Sequence, residues 1–328
     1  MKYFKKIFVL ITTVFQIGIV FAQSGNDAVV PDEPERQLSE HELNIQIARG
    51  FLNLYNINDF PYDKIYKKNK NIKSLIITNS FNLKTLPNEI KDFKSLKRIE
   101  ISGVKLTKFP IGICFLDSLT ELKYSINHTD LIPNQISQLK NLKTLELRVL
   151  PITEIPKEIG DLKNLENLTI VQTIGNYSIA DVSFKLQGIS TIPNEIGKLK
   201  KLKKLALYMN GIEEMPKEIK GLENLTHLEI YQNNLKSLPN EICQLRNLEY
   251  LDLGSNQLTN LPENIGSLTN LKVLNVRKNK LKNLPESINE LENLKALFIE
   301  ENEIPEEELK ALKKLLPKTK IYNGNYIE

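Results

Sequence analysis

The chain has 328 residues, of which 41% are hydrophobic and 26% charged, and this apolar content excludes a wholly disordered protein. Its two cysteines exclude a disulfide framework and a cysteine-based zinc site, and its three histidines leave little material for histidine catalysis. The net charge is +4, and the length by itself predicts about two domains.

The first 22 residues have the pattern of a secretory signal peptide. Lysines at the start precede an apolar run from Ile7 to Phe21, and Val20 and Ala22 place small residues before a cleavage site. A membrane anchor, the alternative, needs roughly 20 apolar residues, and this run is shorter. Cleavage removes three lysines and no acid, which leaves a net charge of +1. We therefore expect a protein exported to the periplasm, the cell surface or the medium, with no transmembrane segment after cleavage and no nucleic-acid partner.

A polar linker and a helical cap follow the signal peptide. Residues 23–37 contain two prolines and several acids, a composition that predicts disorder. Ser39 and Glu42 then have the spacing of a helix capping box. We expect a helix over about residues 40–54, within an N-terminal helical cap that spans residues 38–71.

Nine of the fifteen prolines follow one period. Steps of 23 residues separate them, apart from a single step of 37, which is 23 plus 14. A fixed period of about 20 to 50 residues indicates a repeat architecture. The nine are Pro87, Pro110, Pro133, Pro156, Pro193, Pro216, Pro239, Pro262 and Pro285.

The repeat is clearest from Leu248 onward, where the sequence follows L-x-x-L-x-L-x-x-N-x-L-x-x-L-P-x-x-I-x-x-L. Leu251 and Leu253 alternate with outward residues, as in a short strand. The apolar residues after Pro262 recur every third position, which favours a 3₁₀ turn or an extended segment. Ten such strands lie too far apart in sequence for hairpins, so they must stack in parallel.

This pattern resembles the leucine-rich repeat family in its 23-residue form, and is similar to repeats of bacterial secreted and surface proteins. The resemblance covers about residues 72–322. It implies an α/β fold: a curved, right-handed leucine-rich repeat solenoid with about ten short parallel strands on the concave face, 3₁₀ or extended segments on the convex face, and helical caps. We assign the repeats to residues 72–304 and a C-terminal capping repeat to residues 305–328, with a helix from Glu306 and a last strand at residues 320–322.

The resemblance also implies an asparagine ladder, in which the Asn after each strand bonds backbone groups of neighbouring coils. In the N-terminal half, Val104, Leu150 and Thr173 occupy that position, so we expect those coils to be less regular. The ladder residues are Asn210, Asn233, Asn256, Asn279 and Asn302.

The 14 additional residues lie at about residues 174–188. Val182, Phe184 and Leu186 alternate with polar residues, which predicts a strand, and a small hairpin is possible. Tyr177 and Phe184 would give the insertion an aromatic rim for a ligand. The alternative is a tolerated surface insertion, because loop length has a small effect on stability.

The two cysteines occupy equivalent positions in coils that are five repeats apart. Cys114 and Cys243 are therefore separated by at least about 24 Å. A disulfide requires Cα atoms within about 7 Å. We expect two free, buried thiols.

Candidate binding residues are those that the repeat does not need for folding, at the outward strand positions. Tyr, Arg and Phe are enriched at interface hot spots. We also expect Gly254 to leave a gap that admits a partner side chain. The concave-face candidates are Arg148, Tyr208, His227, Glu229, Tyr231, Tyr250, Asp252, Arg277, Phe298 and Glu300.

These observations predict a non-enzymatic, monomeric protein that docks a protein or peptide on its concave face. The sequence contains no phosphate loop, zinc-protease motif or serine elbow, so we expect no enzyme activity, cofactor or metal. Carbohydrate binding is the alternative, since exposed Tyr208, Tyr231 and Tyr250 could stack on sugar rings. The acids Glu229 and Asp252 would then bind hydroxyl groups.

Overall fold

The computed structural model describes residues 39–172, 175–179 and 182–324, with the backbone alone for residues 175–179 and 182–186. The predicted signal peptide and linker lie outside the described residues. No helix among the described residues is long and apolar enough to cross a membrane.

Twelve strands form one parallel sheet that follows the order of the sequence. Two further strands, β7 (Gly175–Ile179) and β8 (Val182–Leu186), pair with each other in an antiparallel hairpin at the predicted insertion. The sheet strands are β1 (Phe51–Tyr55), β2 (Ser74–Ser80), β3 (Arg98–Val104), β4 (Glu121–Ser125), β5 (Thr144–Arg148), β6 (Asn167–Val171), β9 (Lys204–Ala206), β10 (His227–Glu229), β11 (Tyr250–Asp252), β12 (Val273–Asn275), β13 (Ala296–Phe298) and β14 (Lys320–Tyr322).

The fold is the predicted leucine-rich repeat solenoid. A 3₁₀ turn follows the repeat proline in most coils, because proline lacks an N–H and its fixed φ suits the first position of such a turn. Inward side chains such as Leu251 and Leu253 are fully buried in one continuous apolar cluster. The 3₁₀ turns are Asn88–Asp92, Ile111–Phe115, Asn134–Gln138, Lys157–Asp161, Asn194–Lys198, Lys217–Gly221, Asn240–Gln244, Ile265–Ser267 and Glu286–Glu290.

The predicted asparagine ladder is confirmed, and Asn256 illustrates its geometry. Its Oδ1 accepts from the Leu235 backbone N–H at 3.1 Å. Its Nδ2 donates to the carbonyl oxygens of Ile230 and Leu253, at 2.9 and 3.0 Å. Each ladder side chain thus satisfies buried backbone groups of its own coil and of the preceding one.

Other side chains take over this role in the N-terminal half. Gln172 Oε1 accepts from the Leu150 N–H at 2.9 Å, and Ser80 Oγ accepts from the Ile57 N–H at 3.1 Å. The strands are longer as well: β2 and β3 have seven residues, whereas β9 to β14 have three each. In these coils, longer backbone pairing and side chains other than asparagine replace the ladder. The coils therefore keep the same register through different contacts.

A second, exposed asparagine ladder precedes the strands, and the sequence analysis missed it. Asn247 Nδ2 donates to the Glu223 carbonyl oxygen at 2.8 Å, and Asn270 Nδ2 donates to that of Arg246 at 2.8 Å. Four more asparagines make the equivalent bond: Asn141, Asn164, Asn224 and Asn293.

The N-terminal cap differs from the prediction. Ser39 and Glu42 do form the capping box of α1 (Glu40–Ala48). The predicted extension of this helix to residue 54 is wrong, because Gly50 takes a left-handed conformation with φ of 76° and the chain continues as strand β1. Alternating burial of the β1 side chains adds this strand to the sheet. A second short helix, α2 (Tyr62–Lys68), lies before β2.

The C-terminal cap and the cysteines agree with the sequence analysis. Helix α3 (Glu306–Leu315) begins after Pro305, and β14 then pairs in parallel with β13. Cys114 and Cys243 are free and buried. Burial raises the pKa of the Cys114 thiol to about 12, so this thiol is protonated at neutral pH.

Candidate functional site

The outward side chains of the sheet are arranged in three rows, because the coils share one register. The first row precedes the inward pair of each strand and contains His227 and Tyr250, which are direct partners. The second row lies between the inward residues and contains Glu229 and Asp252, also direct partners. Backbone bonds beyond the strands, such as Met209 N–H to the Tyr231 carbonyl at 3.1 Å, extend the alignment to a third row. The third row runs through Arg148, Val171, Tyr208, Tyr231, Gly254, Arg277 and Glu300.

Stacked tyrosines occupy the centre of the third row. The Tyr208 and Tyr231 rings are 4.5 Å apart and inclined by 10°. Arg148 Nη1 donates to the Tyr208 hydroxyl at 3.1 Å. Tyr208 is only 5% exposed and forms a small apolar cluster with Val171 and Ala206. The expectation that Tyr208 is exposed is therefore wrong: its ring supports Tyr231, which is partly exposed.

The other two rows also contain stacked rings. In the first row, His227 and Tyr250 lie 5.8 Å apart at 21°. In the second row, Phe298 stacks on Tyr322 at 4.4 Å and 8°. Tyr322 was not among the predicted site residues, although its place in the predicted last strand puts it beside Phe298. Burial lowers the pKa of His227, so its imidazole is neutral at pH 7.

Asp252 is a buried carboxylate at the floor of this surface. Its Oδ1 accepts from the Gly254 N–H at 3.0 Å, and its Oδ2 accepts from the Tyr250 hydroxyl at 3.3 Å. Burial raises the pKa of the Asp252 carboxyl above its usual range, and these hydrogen bonds partly oppose that shift. Glu229, its partner in the second row, pairs with Lys204 Nζ at 2.6 Å.

The expected gap at Gly254 is absent. Gly254 is buried, and a Cβ added there would lie 3.2 Å from Asp252 Oδ1 and 3.3 Å from Arg277 Cγ. Neighbouring side chains have already closed over the glycine. Arg277 is itself exposed and is available to a partner.

Glu300 ends the third row with an unsatisfied oxygen. Its Oε2 is buried and has no hydrogen-bond partner within the described part of the chain. Burial raises the pKa of this carboxyl, and the nearby charge of Arg277 partly opposes the shift. A donor from a partner would satisfy this oxygen.

The N-terminal half of the same surface is a chain of ion pairs. Arg98 contacts Glu100 at 2.8 Å and Glu121 at 3.7 Å. Lys123 then contacts Glu121 at 3.5 Å and Glu146 at 3.8 Å, and Glu146 pairs with Arg148. These charges neutralise one another, whereas partly exposed aromatic rings and Arg277 are concentrated between β9 and β14.

No group of three or more His, Cys, Asp or Glu side chains in the described residues could hold a metal ion. In the hairpin, Tyr177 and Phe184 are paired opposite each other, and their side chains lie outside the described part of the structure.

Comparison with known proteins agrees with this geometry. A model of the leucine-rich repeat region matches residues 183–256 and 239–319. Residues 183–319 therefore match the leucine-rich repeat family. No curated protein sequence matches this leucine-rich repeat protein.

Solved leucine-rich repeat structures share the fold. An internalin from Listeria monocytogenes has a TM-score of 0.63 at 19% identity, over 89% of this chain and 84% of that chain. A TDR receptor has a TM-score of 0.61 at 28% identity, over 74% of this chain and 41% of that chain. The ectodomain of a plant membrane receptor kinase from Arabidopsis thaliana has a TM-score of 0.58 at 23% identity, over 76% of this chain. The match spans only 29% of that ectodomain.

Replacing Asp252 with Asn tests how this buried carboxylate affects stability. The folded-state pKa of Asp252 lies above that of the unfolded chain, so the contribution of this carboxyl to stability declines as pH rises above about 4. We expect the free energy of unfolding of Asp252→Asn, relative to wild type, to increase from pH 4 to pH 7. Urea denaturation at several pH values measures this difference in the free energy of unfolding. If the wild type instead became more stable relative to Asp252→Asn from pH 4 to pH 7, the raised pKa of Asp252 would be contradicted.

Proposed function

We propose that this leucine-rich repeat protein is a non-enzymatic binding protein that docks a protein or peptide on the outward face of its sheet. The observation that carries the proposal is the contrast between the two halves of that face. A partner at β3 to β5 would have to separate charged side chains that already neutralise one another in ion pairs. At β9 to β14 a partner meets one such pair, between Lys204 and Glu229, and otherwise rings, Arg277 and Glu300.

The rigidity of the stacked rings at β9 to β14 also favours binding of a partner there. The stacked rings are held by their neighbours before a partner arrives, so docking immobilises few side chains. Tyr231, Arg277 and Phe298 belong to residue types that are enriched at interface hot spots. The plant receptor ectodomain was solved in complex with Casparian strip integrity factor 2, which is a precedent for this use of the fold.

The carbohydrate alternative has less support. Lectin-like stacking needs free ring faces, and Tyr208 is buried against Tyr231. The proposed peptide site therefore centres on Tyr231, Tyr250, Arg277 and Phe298, with Tyr208 and Arg148 holding the surface. The hairpin strands, with Tyr177 and Phe184, are proposed to form its rim.

Selection of binders from a random peptide library displayed on phage tests this site without a known partner. We expect selected peptides to lose at least about tenfold in affinity when Tyr231, Arg277 and Phe298 are changed to Ala, since each hot-spot side chain contributes more than about 1 kcal/mol. Titration calorimetry measures the affinities, and a glycan array tests the alternative.

A matched control changes residues of two 3₁₀ turns and of the loop between β10 and the second of these turns, with Lys217→Ala, Glu241→Ala and Lys236→Ala. Peptides that tolerate the sheet-face changes, or that respond equally to both sets, would reject the sheet face as the site. Glycan binding that the sheet-face changes abolish, with no peptide binding, would establish the carbohydrate alternative.

We further propose that the protein is exported after cleavage of residues 1–22. The basic start, the apolar run and the small residues at Val20 and Ala22 support this location. Mass spectrometry of the protein from its native cells should give Gln23 as the first residue. Recovery of the intact Met1 terminus from the cytoplasm would contradict export.

A further inference from the structure

One edge of the solenoid carries a lysine strip. Three polar positions precede each strand, as in Lys94, Ser95 and Lys97 before β3. Before β2, β3, β4, β5, β6 and β9, these positions hold ten lysines and two acids, a net charge of +8 against +4 for the whole chain. The lysines are Lys70, Lys73, Lys94, Lys97, Lys140, Lys143, Lys163, Lys200, Lys201 and Lys203.

Backbone hydrogen bonds make these residues one continuous strip. The Lys97 N–H donates to the Lys73 carbonyl oxygen at 2.8 Å, and the Thr120 N–H donates to that of Lys97 at 2.8 Å. The same contact recurs from Lys143 to Thr120 at 2.9 Å. It continues through Glu166 and Lys203, so the strip advances one strand at a time over about 24 Å.

The charge of this strip is only partly neutralised. Glu166 pairs with Lys143 at 3.5 Å and with Lys203 at 2.8 Å. Lys73, Lys97 and Lys140 make no ion pair within the described residues. All ten lysines are exposed.

The same positions further along the solenoid provide an internal comparison. Before β10, β11, β12 and β13 they hold three bases and three acids, a net charge of zero. The repeat pattern therefore does not require lysine at these positions. The hydrogen bonds that the repeat needs there are made by the exposed asparagine ladder. The bases are Arg246, Lys272 and Lys295, and the acids are Glu223, Glu249 and Glu292.

A shallow cleft of about 390 Å³ lies within the strip. Lys97, Lys143 and Lys201 line it together with the acids Asp117 and Glu166. Three ammonium groups thus face this space against two carboxylates, and the space is open along the strip.

We propose that the lysine strip binds a linear acidic polysaccharide through its carboxylate or sulfate groups. Lysines at one-coil intervals repel one another, and a polyanion that follows the axis relieves that repulsion and releases counterions. None of the strip positions is apolar, which disfavours a membrane surface. None is aromatic, which disfavours stacking of nucleic-acid bases. This surface is separate in residues from the proposed sheet-face site, and the two can fail independently.

Binding of the full chain to immobilised heparin and to immobilised polygalacturonate tests the proposal, with one sulfated and one carboxylated polymer. We expect affinity for at least one of them to fall linearly in log–log form with NaCl concentration. Changing Lys73, Lys97 and Lys140 to Gln should reduce that slope by about three and weaken binding roughly tenfold or more at physiological salt.

The matched control removes the same charge from the same positions outside the strip, with Arg246→Gln, Lys272→Gln and Lys295→Gln. It should leave the slope and the affinity nearly unchanged, and thermal melting of both variants checks that they fold. Equal losses from both sets, or no retention of the wild type by either polymer at physiological salt, would overturn the proposal. Tighter binding to anionic vesicles or to an oligonucleotide than to both polymers would also overturn it.

Discussion

The structure depends on one constraint: the backbone groups at the turn after each strand are buried, and part of their hydrogen bonding comes from a side chain of the neighbouring coil. Asn256 meets it by bonding its own coil and the coil before it. Gln172 and Ser80 meet it where Asn is missing. A coil cannot satisfy this requirement alone, so each coil fixes the register of the next, and stability arises from stacking.

Uniform register turns repeat positions into surfaces. Residues one repeat apart lie side by side on adjacent strands, so their interactions are decided by which residue types follow one another. Successive opposite charges give the ion-pair chain at β3 to β5, and successive rings give stacked pairs such as Tyr208 with Tyr231. Successive lysines, without enough acids between them, give the strip. Three different surface properties thus follow from one backbone arrangement.

Features set by position in the repeat could be predicted from the sequence, whereas features set by packing between coils could not. The proline period, the inward leucines and the asparagine ladder are set by position in the repeat, and these predictions were confirmed. The burial of Tyr208 and the closure over Gly254 depend on how neighbouring coils pack side chains against one another, which periodicity does not contain. Strand β1 was missed because its local sequence continued a helical pattern, and Gly50 decides the boundary through its positive φ.

Comparing the two asparagine ladders tests the central constraint most directly. Asn256→Ala leaves the buried Leu235 N–H without its acceptor and removes the bonds to the Ile230 and Leu253 carbonyls, and should lower the free energy of unfolding by at least about 2 kcal/mol. Asn247→Ala loses one exposed hydrogen bond and should lower it by about 1 kcal/mol or less. Urea denaturation followed by circular dichroism measures both values. Equal effects of the two changes, or a negligible effect of Asn256→Ala, would contradict the account.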